Sequence, residues 1–209
     1  YIFSFDHKVI GKQFLWYGIF FLGVGGLMAL MIRWALAFPG QAFPIVGNLF
    51  FPDTAGVIGP DTYAMLFTMH GTIMIFYAIT PILIGAFGNF CIPLMVGARD
   101  MAFPLLNMLS FWLAVLSGII LLASLATPLG AAAGGWTSYP TLSTLIGSPG
   151  TGQTLWALSL FVLGVSSTMG AINYITTVIT LRAPGMGYFD MPLTVWGLWL
   201  TAILNALFL

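Results

Sequence analysis

His70 is the side chain of this sequence whose type and setting most clearly suggest chemistry. It lies in the stretch Ala64–Val96, whose 33 residues contain no Asp, Glu, Lys or Arg. With a rise of about 1.5 Å per residue, this stretch can cross a bilayer of roughly 30 Å. An imidazole in hydrocarbon is costly unless it binds a metal, pairs with a neighbour or faces water. His70 is therefore either a ligand of a metal or haem iron, or a neutral histidine hydrogen-bonded to another helix.

Arg33 is a second rare polar group, placed near the end of an apolar stretch that runs from Phe14 to Phe38. Its side chain either extends outward to the lipid headgroups or is a fixed cation that faces a buried acceptor. The next apolar stretch begins on the same side of the membrane, so we expect Arg33 and His70 to lie at comparable depth. The sequence thus predicts one site that both side chains share.

Aromatic and sulfur-containing side chains are the next candidates for a role in binding. Tyr63 and Trp136 are expected at the same end of their helices, where either could donate a hydrogen bond to a group bound near His70. The methionines follow no metal-ligand spacing, so we expect them to pack rather than to bind a metal. They are Met65, Met69, Met74 and Met101.

Asp100 is an acid just after the second apolar stretch, and neutral polar side chains lie inside the neighbouring stretches. Amides and hydroxyls do not ionise, but they can hold a file of water that leads inward from an acid. The alternative is that these groups only hydrogen-bond neighbouring helices to one another. The side chains concerned are Asn89, Asn107, Ser166, Ser167, Thr168 and Asn173.

The composition indicates a polytopic membrane protein. The 209 residues are 60% hydrophobic and 5% charged, with a mean hydropathy of +1.05, which excludes a soluble domain. Lys and Arg number 5, as do Asp and Glu together, so the net charge does not favour a nucleic acid or another anionic partner. Cys91 is the single cysteine, so no intrachain disulfide forms.

Five apolar runs of at least about 17 residues predict an all-α, polytopic transmembrane helix bundle. With alternating topology, four basic residues outside the runs face one side of the membrane, whereas the two long loops contain no Lys or Arg. The positive-inside rule therefore places the N-terminus in the cytoplasm. The basic residues are Lys8, Lys12, Arg99 and Arg182. The runs are Phe14–Phe38, Ala64–Val96, Pro104–Ala126, Leu155–Leu181 and Met191 to the end.

The second run also contains residues that shape a helix. Pro81 lacks a backbone N–H and predicts a kink in the middle of the membrane. Gly71, Gly85 and Gly88 predict close contacts with other helices, because glycine has no side chain to keep a neighbour away.

Several runs of residues resemble subunit I of the haem-copper oxygen reductases of the cytochrome c oxidase type. The resemblance follows nearly the whole chain in order, and its most specific runs are GARDMAFPLLN and GAINYITTVITLRAPGM. The others include FDHKVIG, GGLMALMIR, MHGTIMIF and GGWTSYPTLS. The resemblance implies a terminal respiratory oxidase that reduces oxygen to water and pumps protons. Because the chain begins at Tyr1 and ends at Leu209 inside an apolar run, we expect residues 1–209 to be a truncated, five-span N-terminal part of a subunit with about twelve spans.

The resemblance implies a role for each residue of a haem site. His70 corresponds to an axial ligand of the low-spin haem a. Arg33 corresponds to the arginine that hydrogen-bonds the formyl group of that haem, and Tyr63 and Trp136 correspond to residues next to its propionates. Met74 completes the expected group of cofactor-binding residues.

The resemblance further implies that Asp100 is the entrance acid of a proton-conducting D channel. Three asparagines would line this channel, and two serines would lie further in. These residues are Asn89, Asn107, Asn173, Ser166 and Ser167.

Some positions depart from the pattern of the family. Ala35 stands where many members carry an acidic residue of a calcium or sodium site, so the resemblance does not extend to that site. Met108 replaces the second asparagine of the usual run, and Leu105 and Leu163 replace residues that are polar in some relatives. Asn107 is kept, so the sequence predicts the channel but not its detailed water path.

In the family, later spans supply the other haem ligand and all ligands of the high-spin haem and copper. The second histidine, His7, is expected across the membrane from His70 and cannot supply the missing axial bond. The implied partners are subunits II and III, cytochrome c or another electron donor, oxygen, protons and membrane lipid, without nucleic acid. The implied location is a bacterial plasma membrane. A nitric oxide reductase of the same superfamily and a secondary transporter are the alternatives.

Overall fold

The computed structural model describes residues 2–208, which form long helices joined by irregular loops. Two short 3-10 turns, at Pro52–Thr54 and Tyr188–Asp190, lie in the loops. The α-helices are α1 (His7–Ala37), α2 (Gly47–Phe50), α3 (Pro60–Thr72), α4 (Phe87–Val96), α5 (Pro104–Leu125), α6 (Gly152–Thr180) and α7 (Leu193–Phe208).

Four helical stretches are long and apolar enough to cross a membrane. They are His7–Ala37, Pro60–Val96, Pro104–Leu125 and Gly152–Thr180, and the shorter apolar α7 follows them. The predicted all-α architecture is therefore confirmed, with α7 in the position of the fifth predicted span.

Three of these helices begin earlier than the apolar runs predict, with α6 beginning at Gly152 instead of Leu155 and larger differences at α1 and α3. Helix α1 begins at His7 because the Asp6 carboxylate accepts hydrogen bonds from the backbone N–H groups of Lys8 (2.7 Å) and Val9 (3.1 Å). Such a cap pairs N–H groups that have no partner within the helix. Helix α3 begins at Pro60, whose fixed φ suits the first helical position.

Pro81 widens its helix instead of ending it. Between α3 and α4 the backbone forms two π-helical segments, Ile73–Ile79 and Pro81–Ala86. A π-helix pairs each N–H with a carbonyl five residues back, so the turn widens and the hydrogen-bond ladder can pass a residue without an N–H. The structure shows a widened helical turn at Pro81, and the predicted kink stays a prediction.

The chain divides into two compact units. The Asp100 unit comprises Tyr1–Ile19, Ile79–Ile119 and Ser159–Leu209, and the His70 unit comprises Phe20–Ala78 and Ile120–Leu158.

Glycines allow close packing in the Asp100 unit, as predicted. A Cβ on Gly85 would lie 2.7 Å from the ring of Phe14, and one on Gly88 would lie 2.7 Å from the hydroxyl of Tyr174. That hydroxyl donates a hydrogen bond to the carbonyl oxygen of Ile84 at 2.7 Å. Each aromatic ring therefore occupies the space that a side chain would take.

The core of the His70 unit is apolar and contains Phe21, Leu66, Met69 and Ile73, all at most 3% exposed. The rings of Phe21 and Tyr77 lie 5.2 Å apart. This core packs α1 against α3 and the first π-helical segment, which are the elements that position His70.

Candidate functional site

The His70 ring lies half-buried on α3 beside the backbone of α1. Its Nδ1 atom is 2.9 Å from the carbonyl oxygen of Gly25. Because a carbonyl oxygen only accepts, a neutral ring that makes this bond carries its proton on Nδ1 and a lone pair on Nε2. The Gly25 bond is the one hydrogen bond of this ring among residues 2–208. Nε2 therefore has the electronic form of a metal ligand.

Gly25 is the reason that α1 comes close enough to make this bond. A Cβ at this position would lie 2.7 Å from Met74 Sδ and 3.2 Å from Ile73 Cγ2. A larger residue would have to displace the Met74 side chain and would press against Ile73, which would strain the contact between the two elements. Met74, one of the predicted cofactor-binding residues, thus lies against the same glycine as His70.

Two buried threonines fix the helix on either side of His70. Thr68 Oγ1 accepts a hydrogen bond from the backbone N–H of Gly135 at 2.9 Å. Thr72 Oγ1 accepts one from the indole Nε1 of Trp156 at 3.0 Å. Each hydroxyl also donates to a carbonyl oxygen one turn back in its own helix. The loop before α6 and α6 itself therefore hold the turn that carries His70.

Trp136 lies close to this turn, as the sequence predicts. A Cβ on Gly71 would lie 3.5 Å from Trp136 Cδ1, and the rings of Trp136 and Phe76 pack edge to face at 5.8 Å. Tyr63 is half-buried on α3, seven residues before His70. Seven residues make about two helical turns, so both side chains lie on the same face of α3.

Arg33 is not at the depth of His70, and the expectation of one shared level is wrong. Gly25, which contacts His70, precedes Arg33 by eight residues of α1, or about 12 Å along the helix axis. The error arises because α3 begins at Pro60, so His70 is further from the start of its helix than the apolar run suggests. The Arg33 side chain is exposed, and within the described chain its guanidinium has no hydrogen bond or ion pair.

The methionine thioethers act as packing groups and weak acceptors where the structure shows their contacts. Met65 Sδ accepts a hydrogen bond from the N–H of Ala131 at 3.3 Å, and Met101 Sδ accepts one from the Thr177 hydroxyl at 3.4 Å. Among residues 2–208, no group of three or more His, Cys, Asp or Glu side chains could hold a metal ion.

In the Asp100 unit, Asp100 is half-buried and begins a turn that α6 holds in place. Its Oδ1 atom accepts a hydrogen bond from the N–H of Met101 at 2.7 Å. The Asn173 amide binds the backbone of Phe103 in both directions, at 2.9 Å to its N–H and 3.1 Å to its carbonyl oxygen. Thr177 Oγ1 accepts a hydrogen bond from the backbone N–H of Ala102 at 2.9 Å. In this structure Asn173 therefore positions the chain next to Asp100.

The two other predicted amides are buried and only partly paired. Neither side-chain polar atom of Asn107 has a hydrogen-bond partner, and Asn89 Oδ1 also has none. The Nδ2 atom of Asn89 donates to the carbonyl oxygen of Gly85 at 2.7 Å. Buried amide atoms in native proteins are almost always paired, commonly with ordered water. In the Asp100 unit, these unpaired amide atoms are the best candidates for binding ordered water.

His7 holds the backbone at Asn89. Pro93 follows Asn89 by four residues inside α4, so it cannot donate the helical hydrogen bond to the carbonyl oxygen of Asn89. His7 Nδ1 lies 2.8 Å from that oxygen, and the His7 ring is 2% exposed. The sequence pattern assigned no such role to His7.

Serines connect α6 to α5 in the same unit. Ser166 Oγ donates to the carbonyl oxygen of Ser110 at 2.6 Å, and Ser110 Oγ donates to that of Asn107 at 2.7 Å. Ser110 was missed by the sequence reasoning, although its spacing of three residues from Asn107 places both on one helix face. Ser167 and Thr168 both donate to the carbonyl oxygen of Gly164, at 3.2 and 3.0 Å.

Comparison with known proteins gives a consistent result. Residues 9–209 match the family described as cytochrome c and quinol oxidase polypeptide I. The chain is 42% identical over 204 residues to cytochrome c oxidase subunit 1 of Thermostichus vulcanus, which covers 98% of this chain and 34% of the relative. It is 41% identical over 202 residues to cytochrome c oxidase subunit 1 of Corynebacterium efficiens, covering 97% and 32%. It is 43% identical over 199 residues to a putative cytochrome c oxidase subunit 1-beta of Streptomyces avermitilis, covering 95% and 33%. The chain thus spans about a third of the length of these curated relatives.

Proposed function

This chain belongs to the cytochrome c and quinol oxidase polypeptide I family, and from that premise we propose that it forms the part of a terminal oxidase that holds the low-spin haem a and admits protons for oxygen reduction. The observation that carries the proposal is the His70 ring, whose Nδ1 is 2.9 Å from the Gly25 carbonyl oxygen. In a neutral ring, this contact leaves Nε2 with a free lone pair, on a residue of a helical stretch that is long and apolar enough to span a membrane.

The residues around His70 fit a haem ligand. Metal-binding histidines usually donate their other ring N–H to a carbonyl or carboxylate, which fixes the tautomer and raises the basicity of the ligand atom. Gly25 supplies such a carbonyl, and the threonine bonds to Gly135 and Trp156 limit movement of the helix. A haem bound at Nε2 would supply one-electron transfer.

The exposed Arg33 is the residue that would recognise a polar edge of such a group. It lies about 12 Å further along α1 than the glycine that contacts His70, so it suits the rim of a flat ligand better than its centre. A guanidinium that donates to a formyl oxygen would make a charge-assisted bond, which a low dielectric strengthens. Trp136 and Tyr63 would contact the propionate side.

The Asp100 unit supports the second half of the proposal. The orphaned atoms of Asn107 and Asn89 need partners, and water supplies both a donor and an acceptor. A file of water at these amides would carry protons, because each molecule accepts one proton and releases another while the amides keep theirs. Asp100 would take up protons at the mouth of this file, and Ser166 and Ser167 would line its continuation.

The activity of the whole enzyme requires groups outside this chain. The high-spin haem, the copper and the second axial ligand would belong to the remaining two thirds of the relatives' length. Subunits II and III and cytochrome c or another donor are the proposed partners. The protein is a multi-pass membrane protein of an oxidase family, and we propose a bacterial plasma membrane with a cytoplasmic N-terminus. Family membership argues against a secondary transporter.

The test is the exchange Asp100→Asn in the full-length oxidase, with Asp61→Asn, on an exposed residue of the first turn of α3, as the matched control. We expect Asp100→Asn to slow proton uptake about tenfold or more, which corresponds to an increase of at least about 1.4 kcal/mol in the activation free energy. The haem absorbance should be unchanged. Asp61→Asn should leave uptake unchanged. Normal uptake and pumping in Asp100→Asn would rule out the proton entrance. In a reduced-minus-oxidised spectrum, a haem a band would support the oxidase, haem b alone would leave the choice between oxidase and nitric oxide reductase open, and the absence of haem would favour the transporter.

A further inference from the structure

Asn205 is an amide in the otherwise apolar helix α7. It is half-buried, and the helix around it has the sequence LTVWGLWLTAILNALF. An amide inside a membrane-spanning helix is costly, so its presence calls for a partner or a function. Neither the haem site nor the proposed proton entrance uses this residue.

The partner of Asn205 is Ser167 on α6. The Ser167 hydroxyl oxygen lies 3.4 Å from Asn205 Nδ2 and 3.5 Å from Asn205 Oδ1. The same hydroxyl lies 3.2 Å from the carbonyl oxygen of Gly164. A hydroxyl has one proton to donate, and the shorter contact is to Gly164. When the Ser167 proton is donated to Gly164, Ser167 accepts from Nδ2, and Asn205 Oδ1 then has no donor among residues 2–208.

The contact between Ser167 and Asn205 is also weak. Good hydrogen bonds of this kind measure about 2.7–3.2 Å, so contacts of 3.4–3.5 Å are weak and easily exchanged for a bridging water. Thr201, one turn earlier in α7, provides a contrast, because its hydroxyl donates to the carbonyl oxygen of Gly197 at 2.7 Å. Thr201 is therefore satisfied within its own helix, whereas Asn205 is not.

From this geometry we infer that Asn205 is a further positioning residue of the proton path, holding a water molecule together with Ser167. The inference rests on the proposed function, since it extends the proposed file from α6 to α7. Asn205 Oδ1 accepts a hydrogen bond from the water and Nδ2 donates to the Ser167 oxygen. The amide neither gains nor loses a proton as the water passes one on.

The experiment compares Asn205→Leu, Asn205→Ser and the control Thr201→Val in the full-length oxidase. Removing one ordering hydrogen bond from the water should slow proton uptake between about two- and tenfold in Asn205→Leu. Haem absorbance and thermal stability should be unchanged. Asn205→Ser keeps a hydroxyl and leaves space for water, so it should restore uptake, and Thr201→Val should match the unmodified enzyme.

The outcomes separate this inference from the function on which it rests. Unimpaired uptake in Asn205→Leu, alongside slow uptake in Asp100→Asn, would overturn the role of Asn205 and keep the proton entrance. Equal slowing in Asn205→Ser and Thr201→Val would show a packing effect of α7 and would also overturn it. Unimpaired uptake in Asp100→Asn would overturn the entrance and this inference together.

Discussion

The buried polar groups around His70 and those at Asn107 and Asn89 differ in whether they have hydrogen-bond partners. Around His70, the hydroxyls of Thr68 and Thr72 and the Nδ1 atom of the ring are all paired, so Nε2 is the atom left available. In the Asp100 unit, Asn107 and Asn89 keep three buried amide atoms without partners. A single fixed lone pair suits a ligand that stays in place, whereas several unpaired amide atoms suit water that moves.

The largest effect should come from Asn173→Leu, which tests whether the Asp100 unit contains both structural and water-binding amides. Losing this amide leaves the N–H of Phe103 without its partner, at about 1–3 kcal/mol, and removes one of the two hydrogen bonds to the Phe103 carbonyl oxygen, which still accepts from the N–H of Asn107. We expect a lower thermal midpoint in detergent.

The matched control for this variant is Asn107→Leu in the same unit. Because the Asn107 amide has no partner in the protein, its replacement should leave the thermal midpoint unchanged or raise it while proton uptake falls. Equal destabilisation by both variants would remove the distinction between the two amides.

The next effect concerns the His70 unit and the close approach at Gly25. Gly25→Val should destabilise the protein by about 1–3 kcal/mol through overpacking against Met74 and Ile73, and should lower the content of low-spin haem. Gly26→Ala is the control, because a Cβ there has no neighbour within 4 Å. Haem content that falls equally in both variants would contradict the role of Gly25.

A smaller effect should follow from His7→Phe, which separates the two histidines of the chain. The carbonyl of Asn89, freed by Pro93, would lose its partner, at a cost of about 1–2 kcal/mol. We expect a lower thermal midpoint with an unchanged haem spectrum. A changed spectrum would mean that the haem site depends on both units.

The smallest effect is at the start of α1 and depends on pH. Partial burial alone would raise the pKa of Asp6, but hydrogen bonds from the N–H groups of Val9 and Lys8, with the charges of His7 and Lys8, hold this pKa below its ordinary value. The ionised cap therefore stabilises the fold above about pH 4 and loses this effect as the pH falls through the folded pKa.

The variant that measures this cap is Asp6→Ala. It should cost about 1 kcal/mol at pH 7 and progressively less as the pH is lowered below about 4, measured as the difference in thermal midpoint from the unmodified protein. A difference that persists unchanged at the lower pH would show that the carboxylate does not act as the cap.

The sequence predicted the helices and the setting of His70 well, because hydropathy and rare polar residues are local signals. The sequence prediction placed the starts of α1 and α3 too late, because the first turns of both helices are polar. An apolar run indicates which residues contact lipid, and a helix can extend beyond those residues. The prediction that Arg33 and His70 lie at the same depth was wrong for the same reason.

Other features depend on contacts between distant parts of the chain. The bond from His7 to the carbonyl of Asn89 joins residues 82 positions apart, and the Asn173 contact with Phe103 joins residues 70 apart. Spacing along one helix carries no information about such pairs. The sequence therefore indicated that these amides matter, but it did not separate the structural Asn173 from the orphaned Asn107.

The central claim is that His70 binds haem iron, and the most direct measurement is the low-spin haem absorbance of purified His70→Ala oxidase beside that of His7→Ala. We expect the low-spin band to disappear in His70→Ala and to remain in His7→Ala, since the His7 ring is already bound to a backbone carbonyl. A full low-spin band in correctly folded His70→Ala would contradict the account.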